Sequence, residues 1–437
     1  MTGSGLRLAA EGRLEGLDPT TLRHLLQRRP SDEGDVQSAT REILDTVRAR
    51  GDEALIDFAR RFDGVEMEAL EVPRRAWDEA LERLDPDVRA ALERAARNIE
   101  AFHRALIPDE VVLEVEPGLR LGRRFVPLQA VGVYAPGGRA AYPSSVLMGV
   151  VPARAAGVEE IVVCSPPGLD GRPSEVVMAA AAIAGASRLV AVGGAGAVAA
   201  LAYGTDSVPR CDAIVGPGNR WVLEAKRQVA GQVVIDSPAG PSEVLVLAEE
   251  GGAAAELLAS ELVAQAEHDP DAAVVFVTTS QSQLDTVRTA LEAQVAASAR
   301  RDVVETALSV QGALLLAESR DSMLDFAREY GAEHLSLCTR EPKADLDAIP
   351  TAGTVFLGPD STVAFGDYMT GANHVLPTAG TSRSFSGLST LNFLRSYTWQ
   401  EISPEAAASL SEPVAVLADS EGLPGHAAAA RMRAGSS

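Results

Sequence analysis

Leu189-Val-Ala-Val-Gly-Gly-Ala-Gly-Ala-Val-Ala-Ala-Leu-Ala-Tyr-Gly-Thr205 is the stretch that decides the fold. Its first four residues are short, apolar and rich in valine, as a buried strand requires. Gly193-Gly194 then allows a tight turn, and the alanine-rich run that follows suits a helix lying close to a sheet. Strand, glycine turn and helix in that order form the repeating unit of parallel α/β proteins. The theme returns downstream at Ile214-Val-Gly216-Pro-Gly218-Asn219.

Outward from this stretch the same texture extends in both directions. Strands are expected at Val131–Tyr134, Ile161–Cys164, Leu189–Val192, Ala213–Val215, Val244–Leu247, Ala273–Val277, Ala313–Leu316, Leu335–Cys338 and Thr354–Leu357, with helical segments between most of them. Two parallel sheets in two domains fit this alternation better than one very large sheet. Gly194 to Ala199 also satisfies G-x-G-x-x-A, with Asp212 placed for a ribose contact. Tight βα turns produce such strings often, so the pattern fits either a dinucleotide site or an ordinary turn.

The first third reads as helical. Ala39, Ile43, Val47, Ala54, Leu55 and Phe58 recur at helical spacing over Val36–Phe62, with a stop and restart at Gly51-Asp52. A second pair is expected at Ala76–Leu84 and Pro86–Leu106, with Asp85 as N-cap and Pro86 in the first helical position. The string LEVEPGLRLGRRFVPL (113–128) alternates about Pro117-Gly118 and predicts a hairpin, while the tail from Pro404 reads as an appended helix.

The chain has 437 residues, 46% of them hydrophobic and 23% charged, which suits two or three globular domains. A formal charge of −22 repels phosphate backbones and argues against nucleic acid as a partner. The three cysteines, Cys164, Cys211 and Cys338, are isolated and imply buried thiols in a reducing compartment. Glu11, Glu15 and Asp18 interrupt any signal-like core, and the later apolar runs are cut by glycine and charge. The expectation is therefore a cytoplasmic protein with no membrane span.

Four of the six histidines lie in the second half, near glycines or acids. Gln265 and His268 close a helical run at i and i+3, so both polar heads share a face. An amide oxygen and an imidazole suit a borderline metal such as zinc, although glutamine is an uncommon zinc ligand and a polar helix end looks the same. Glu333-His334 sits between a helix and a strand and offers two proton carriers, or simply a capped turn. Phe365-Gly-Asp367-Tyr368 and Gly371-Ala-Asn-His374 form a glycine-rich loop in which Asp367 is either a metal ligand or a solvated turn residue. His426 opens a helix after Pro424-Gly425 and, taken alone, reads as a surface side chain.

Together with the string Ile235-Asp-Ser-Pro-Ala-Gly-Pro-Ser-Glu243, these motifs resemble the histidinol dehydrogenase family. Around it, in order, stand VGVYAPGGRAAYPSSVLM (131–148), VGGAGAVAALAYGT (192–205), GPGNRWVLEAKRQV (216–229), QAEHDPDA (265–272), YGAEHL (330–335), VFLG (355–358), GDY (366–368) and GANHVLPT (371–378). The match runs from about Val36 to His426. The resemblance implies zinc held by Gln265, His268, Asp367 and His426, with Glu333 and His334 as the catalytic acid–base pair. It implies L-histidinol as substrate, surrounded by Ser242, Glu421, His334 and the metal ligands. NAD would be contacted by Tyr134, Asn219 and Gly196, the last standing where the family usually has glutamine.

The resemblance also implies a domain-swapped homodimer in which Glu421 and His426 complete the other subunit's site. The expected organisation is two Rossmann-like parallel-sheet domains with helical extensions. Residues 1–30 form an N-terminal helical extension, and residues 31–133 plus 244–388 form a domain with the zinc and catalytic residues. Residues 134–243 form an NAD-binding domain, and residues 389–437 a C-terminal helical extension. The competing assignment is a related zinc- and NAD-dependent dehydrogenase of another small alcohol, such as a sulfopropanediol. Ser242 and Glu421 favour a substrate with a cationic amine, because a carboxylate repels a sulfonate. A non-catalytic paralogue would not require Glu333, His334 and the whole ligand set.

Overall fold

Strands buried on both faces need apolar side chains at nearly every position, and Val131, Val162, Val163, Leu189, Val244–Leu247 and Val274–Val277 supply them, all about 1% exposed or less. The computed structural model describes residues 6–28, 34–137, 141–237 and 240–434; residues 138–140 and 238–239 of the quoted motifs lie outside these. All nine strands expected from the sequence are present, within a residue or so of their expected ends.

They form two parallel sheets. The five-stranded sheet runs, from edge to edge, Arg188–Ala191, Glu160–Ser165, Ala130–Tyr134, Ala213–Val215, Val234–Ile235. The six-stranded sheet runs Ala10–Arg13, Gly312–Leu316, Ala273–Thr278, Glu243–Ala248, His334–Cys338, Thr354–Leu357. In the five-stranded sheet the chain starts in the middle, winds outward to one side, then returns to fill the other, and the strands after Ala10–Arg13 do the same in the six-stranded sheet. The reversal falls beside Ala130–Tyr134 in one sheet and beside Glu243–Ala248 in the other, the arrangement of doubly wound folds.

Small residues set how closely the helices approach. On the Ala130–Tyr134 strand a Cβ at Gly132 would lie 2.7 Å from Leu201, and one at Gly149 would lie 2.4 Å from Val133. The helices Pro143–Ala156 and Gly194–Tyr203 therefore sit on this strand with no room for a side chain between.

The sequence reading grouped residues 31–133 with 244–388. The helices Gly34–Arg50, Asp52–Phe58, Arg74–Arg83 and Pro86–Ala105 instead turn Leu44, Val47, Leu55, Trp77, Ala80 and Ile99 onto the core of the five-stranded sheet. Periodicity shows which face of a helix is apolar and is silent on which sheet receives it. The local signals are where they were expected: Asp85 accepts from the backbone N–H of Asp87 (2.9 Å) and Val88 (3.2 Å), and Gly51 separates the first pair at φ 56°.

Two segments expected as helical extensions also contain strands. Ala10–Arg13 pairs with Gly312–Leu316 at the edge of the six-stranded sheet; four residues including Gly12, Glu11 and Arg13 are too short and polar to announce a strand. Leu394–Ile402 adds a third strand to the expected hairpin of Val111–Glu116 and Leu119–Pro127. Beyond it lie the helices Pro404–Ser420 and Pro424–Arg431. Among the described residues no helix is long and apolar enough to cross a membrane, and the three cysteines are buried and free.

Candidate functional site

The helix Ala255–Ala266 delivers Gln265 and His268 at its C-terminal end, where the His268 N–H donates to the Gln265 carbonyl at 3.2 Å. Gln265 is 2% exposed, and among the described residues neither its Oε1 nor its Nε2 has a hydrogen-bond partner. The short helix Val363–Tyr368 is tied to the same helix by Glu261, which accepts from the Val363 N–H at 3.0 Å. That tether brings Asp367 in. Its carboxylate lies 4.0 Å from His268 Nε2 and 3.6 Å from His334 Nε2. His374 Nδ1 donates to the Asp367 carbonyl at 3.0 Å.

Burial pushes the Asp367 carboxyl up, but His334, His374 and His268 outweigh it and hold it below its ordinary range. Among the described residues no three His, Cys, Asp or Glu side chains of this single chain make a complete metal site. The donors available are the Gln265 amide, the His268 imidazole and the Asp367 carboxylate, an N/O set that suits a borderline divalent ion. An amide buried with nothing to bond is costly in a native fold, and a cation accepting its oxygen explains it.

Glu333 and His334 stand at the amino end of the His334–Cys338 strand, opposite the end where sites in parallel sheets usually lie. Both are buried, and Glu333 Oε2 lies 3.4 Å from His334 Nδ1. Glu243, on the adjacent strand, holds both. Its N–H donates to Glu333 Oε2 at 2.7 Å, and its carbonyl lies 2.9 Å from His334 Nδ1. A carbonyl only accepts, so Nδ1 carries a proton, and whenever the ring is neutral its lone pair is on Nε2, facing Asp367. Burial pushes His334 down, yet Glu333 and Asp367 raise it well above the ordinary histidine range. A cation bound to Asp367 would neutralise part of that negative charge.

The nucleotide-side candidates lie at the carboxyl edge of the five-stranded sheet. The Tyr134 hydroxyl accepts from the Gly194 N–H at 3.2 Å, and burial pushes its pKa up to about 12, so it remains a donor as well. Gly216, at φ 113°, admits no side chain because a Cβ would lie 2.1 Å from the Tyr134 carbonyl oxygen. Its peptide is pinned by a buried pair: Lys226 Nζ donates to the Gly216 carbonyl at 3.0 Å, and the Gly216 N–H donates to Asp236 at 2.8 Å. Lys226 and Asp236 are themselves ion-paired. Asn219 caps the helix Arg220–Val229 through Oδ1, which accepts from Trp221 (3.0 Å) and Val222 (3.2 Å) and leaves the Nδ2 group for a ligand. Gly196 is buried in the first turns of its helix, with the Cβ position 3.3 Å from Leu55.

The two sheets are fastened together at this place. Asn373 Nδ2 donates to the Met148 carbonyl and Asn98 Nδ2 to the Met369 carbonyl, each at 2.7 Å. Ser242, part-buried, immediately precedes Glu243. Glu421 and His426 are exposed on the C-terminal helical hairpin, and among the described residues no hydrogen bond or ion pair joins their side chains to this cluster. The structure thus gathers His268, Glu333, His334 and Asp367, sets Gln265 three residues before His268 at the same helix end, and leaves the two tail residues without a bond to them. Sequence reasoning passed over Glu243, quoted only as part of a motif, and missed Arg28, which pairs with it. Arg28 and Glu243 lie far apart in the chain, and no local pattern connects them.

The family model described as histidinol dehydrogenase matches residues 26–434. Histidinol dehydrogenase of Methanosarcina mazei is 45% identical over 406 residues, covering 93% of each chain. That of Haloarcula marismortui is 48% identical over 399 residues, covering 91% of this chain and 93% of the relative. The crystal structure of histidinol dehydrogenase from Elizabethkingia anophelis superposes with a TM-score of 0.93 at 31% identity, covering 98% of each chain.

Replacing Gln265 by methionine, similar in shape but apolar, removes two buried polar atoms without a partner, each worth about 1–3 kcal/mol. The metal-free Gln265→Met variant is expected to unfold at higher urea concentration than the metal-free parent, and divalent metal should stabilise it far less. A lower midpoint in the metal-free variant would show that the amide is satisfied in solution without an ion.

Proposed function

The chain belongs to the histidinol dehydrogenase family, and on that premise we propose that it carries out the four-electron oxidation of L-histidinol to L-histidine. The reaction passes through L-histidinaldehyde, uses zinc and two NAD, and is the last step of histidine biosynthesis. The protein is an oxidoreductase acting on CH–OH with NAD. The observation that carries the finer reading is the Asp367 carboxylate shared between His268 and His334, with the unpartnered Gln265 amide three residues before His268 at the same helix end.

Zinc would be held by Gln265, His268 and Asp367, with His426 supplied by a second copy. Bound there it would fix the imidazole and amino nitrogens of the substrate, while NAD takes up hydride. His334, with its proton locked on Nδ1 by the Glu243 carbonyl, accepts the hydroxyl proton at Nε2. Glu333 has Oε2 tied to the Glu243 N–H, and among the described residues no hydrogen bond engages Oε1. It activates the water that adds to the aldehyde, preparing the second hydride loss. A positioned base of this kind contributes about 10²–10⁴-fold. Tyr134, Asn219 and the Gly194 and Gly216 turns receive the dinucleotide at the switch point; Gly196, buried against Leu55, offers it at most backbone. Ser242 and Glu421 would receive the substrate's ammonium end.

A homodimer completing its sites by exchange of tails explains why Glu421 and His426 are exposed. It also gives a role to the apolar surface of the arm that carries them: Val111 and Leu113 of the hairpin strand are 58% and 60% exposed, and Leu417 of the tail helix 67%. We divide the chain into two α/β units, one per sheet, with the three-stranded sheet and tail as the exchanged arm. We place the reaction in the cytoplasm, in keeping with the buried free thiols.

The decisive test supplies purified protein with zinc, NAD and L-histidinol and measures NADH and histidine together. Two NADH per histidine are expected; absence of histidine would move the assignment to another small alcohol, a sulfopropanediol among them. In Glu333→Gln the second oxidation should slow by 10²-fold or more while the first is largely spared. Aldehyde would then accumulate in a quench assay, and equal slowing of both steps would refute the separate roles. Mixing inactive His334→Ala and His426→Ala proteins should restore up to about half the activity per hybrid dimer, since one site in each hybrid is intact. No recovery from verified hybrids would place His426 in its own subunit's site.

A further inference from the structure

We infer that Arg28 and Glu243 are a positioning pair that aligns Glu333 and His334 for reaction, an assignment that rests on the proposed function. The catalytic pair is held from two sides. On one side Glu243 bonds it through the main chain, donating to Glu333 Oε2 and accepting from His334 Nδ1, as described above. The Glu243 carboxylate accepts from the Ala379 N–H and also lies 3.4 Å from the Glu333 N–H. On the other side is the turn Tyr330–Gly331–Ala332, which leaves the helix Arg320–Tyr330 and leads directly into Glu333.

Arg28 reaches both supports, through an ion pair to Glu243 and a hydrogen bond to the Tyr330 turn. Its Nε lies 3.0 Å from Glu243 Oε1, with both side chains 2% exposed. Its Nη2 donates to the Tyr330 carbonyl at 2.9 Å, and its guanidinium lies 3.7 Å above the Tyr330 ring. The remaining nitrogen donates to the Leu25 and Leu26 carbonyls at 3.3 and 3.2 Å, the open C-terminal end of the helix Pro19–Gln27. The Arg28 backbone takes the left-handed conformation, φ 42°, that aims the side chain this way. A planar guanidinium with five donors can satisfy this geometry at once, and a lysine cannot.

A buried ion pair that served only stability would be replaceable by uncharged side chains at little loss. One that sets the place of Glu333 and His334 would not be, because misplacing reacting groups by about 1 Å costs on the order of 10²-fold in rate. Removing both charges together separates the two roles, since it leaves no charge buried alone.

The test compares the zinc-loaded parent with Arg28→Met, Glu243→Gln and the double variant Arg28→Met/Glu243→Gln. In the double variant the melting temperature, zinc content and KM for histidinol should stay close to those of the parent. Its kcat should fall 10- to 100-fold, with alcohol and aldehyde oxidation slowed alike, and by no more than the worse single variant. Arg28→Lys should recover only a minor part of the lost rate. The imidazole ¹⁵N shifts of His334, read at alkaline pH, should report the proton on Nδ1 in the parent and a mixture of tautomers in the double variant. A double variant with kcat within twofold of the parent and unchanged His334 shifts would overturn the inference. If the parent itself failed to oxidise histidinol, the proposed function would fall, and the His334 shifts alone would still decide whether this pair positions the imidazole.

Discussion

A carboxylate withdrawn from water must find positive charge and hydrogen-bond donors, or take up a proton. Glu243, Glu333 and Asp367 are all buried at one place, and the rest of the site follows from how they are satisfied. Arg28 and the Ala379 N–H serve Glu243, main-chain N–H serves Glu333, and Asp367 is faced by His268 and His334. Burial drives the Glu243 carboxyl upward even against Arg28, with Glu333 adding to the rise. The local balance of charge is close, and this is what makes a cation at Gln265, His268 and Asp367 chemically apt.

The same requirement explains why Glu333 and His334 lie at the amino end of their strand. There the main chain of Glu243 is available to hydrogen-bond side chains of the neighbouring strand, and the loops running from Met369 to Ala379 can cover them. The opposite sheet contributes its carboxyl edge in the usual way, with Tyr134, Gly194 and Gly216 at the switch point. The Asn373 and Asn98 amides tie the segment from Met369 to Asn373 to the helices Pro143–Ala156 and Pro86–Ala105 of the five-stranded sheet.

Much of the fold was legible because its signals are local. Valine-rich runs of strand length, Asp85-Pro86, Gly51 and the glycine turns all act on their nearest neighbours, and the elements stand where those residues put them. Ala10–Arg13 and Leu394–Ile402 escaped notice because each is a strand only by virtue of a partner far along the chain. The same distinction governs the grouping of the early helices, whose apolar faces were evident and whose destination was not. In the site, Gln265 with His268 and Glu333 with His334 were visible as neighbours in sequence, Asp367 stood out in its glycine-rich loop, and only the resemblance joined it to the others. Arg28 has no local signature, because a left-handed helix end at arginine looks like any polar tail.

The contact between Arg28 and Tyr330 spans 302 residues. On a growing chain, then, the Arg28 side chain waits for its partner while the 302 residues up to Tyr330 are made. The five-stranded sheet, whose strands all fall between Ala130 and Ile235, can close early from nearby segments. The six-stranded sheet must pair Ala10–Arg13 with the distant Gly312–Leu316, a loop closure of high contact order. Folding order is therefore written into the topology: the five-stranded sheet matures first, and the buried cluster of Glu243, Glu333 and His334 is completed late, when the segment with Ala10–Arg13 and Arg28 docks.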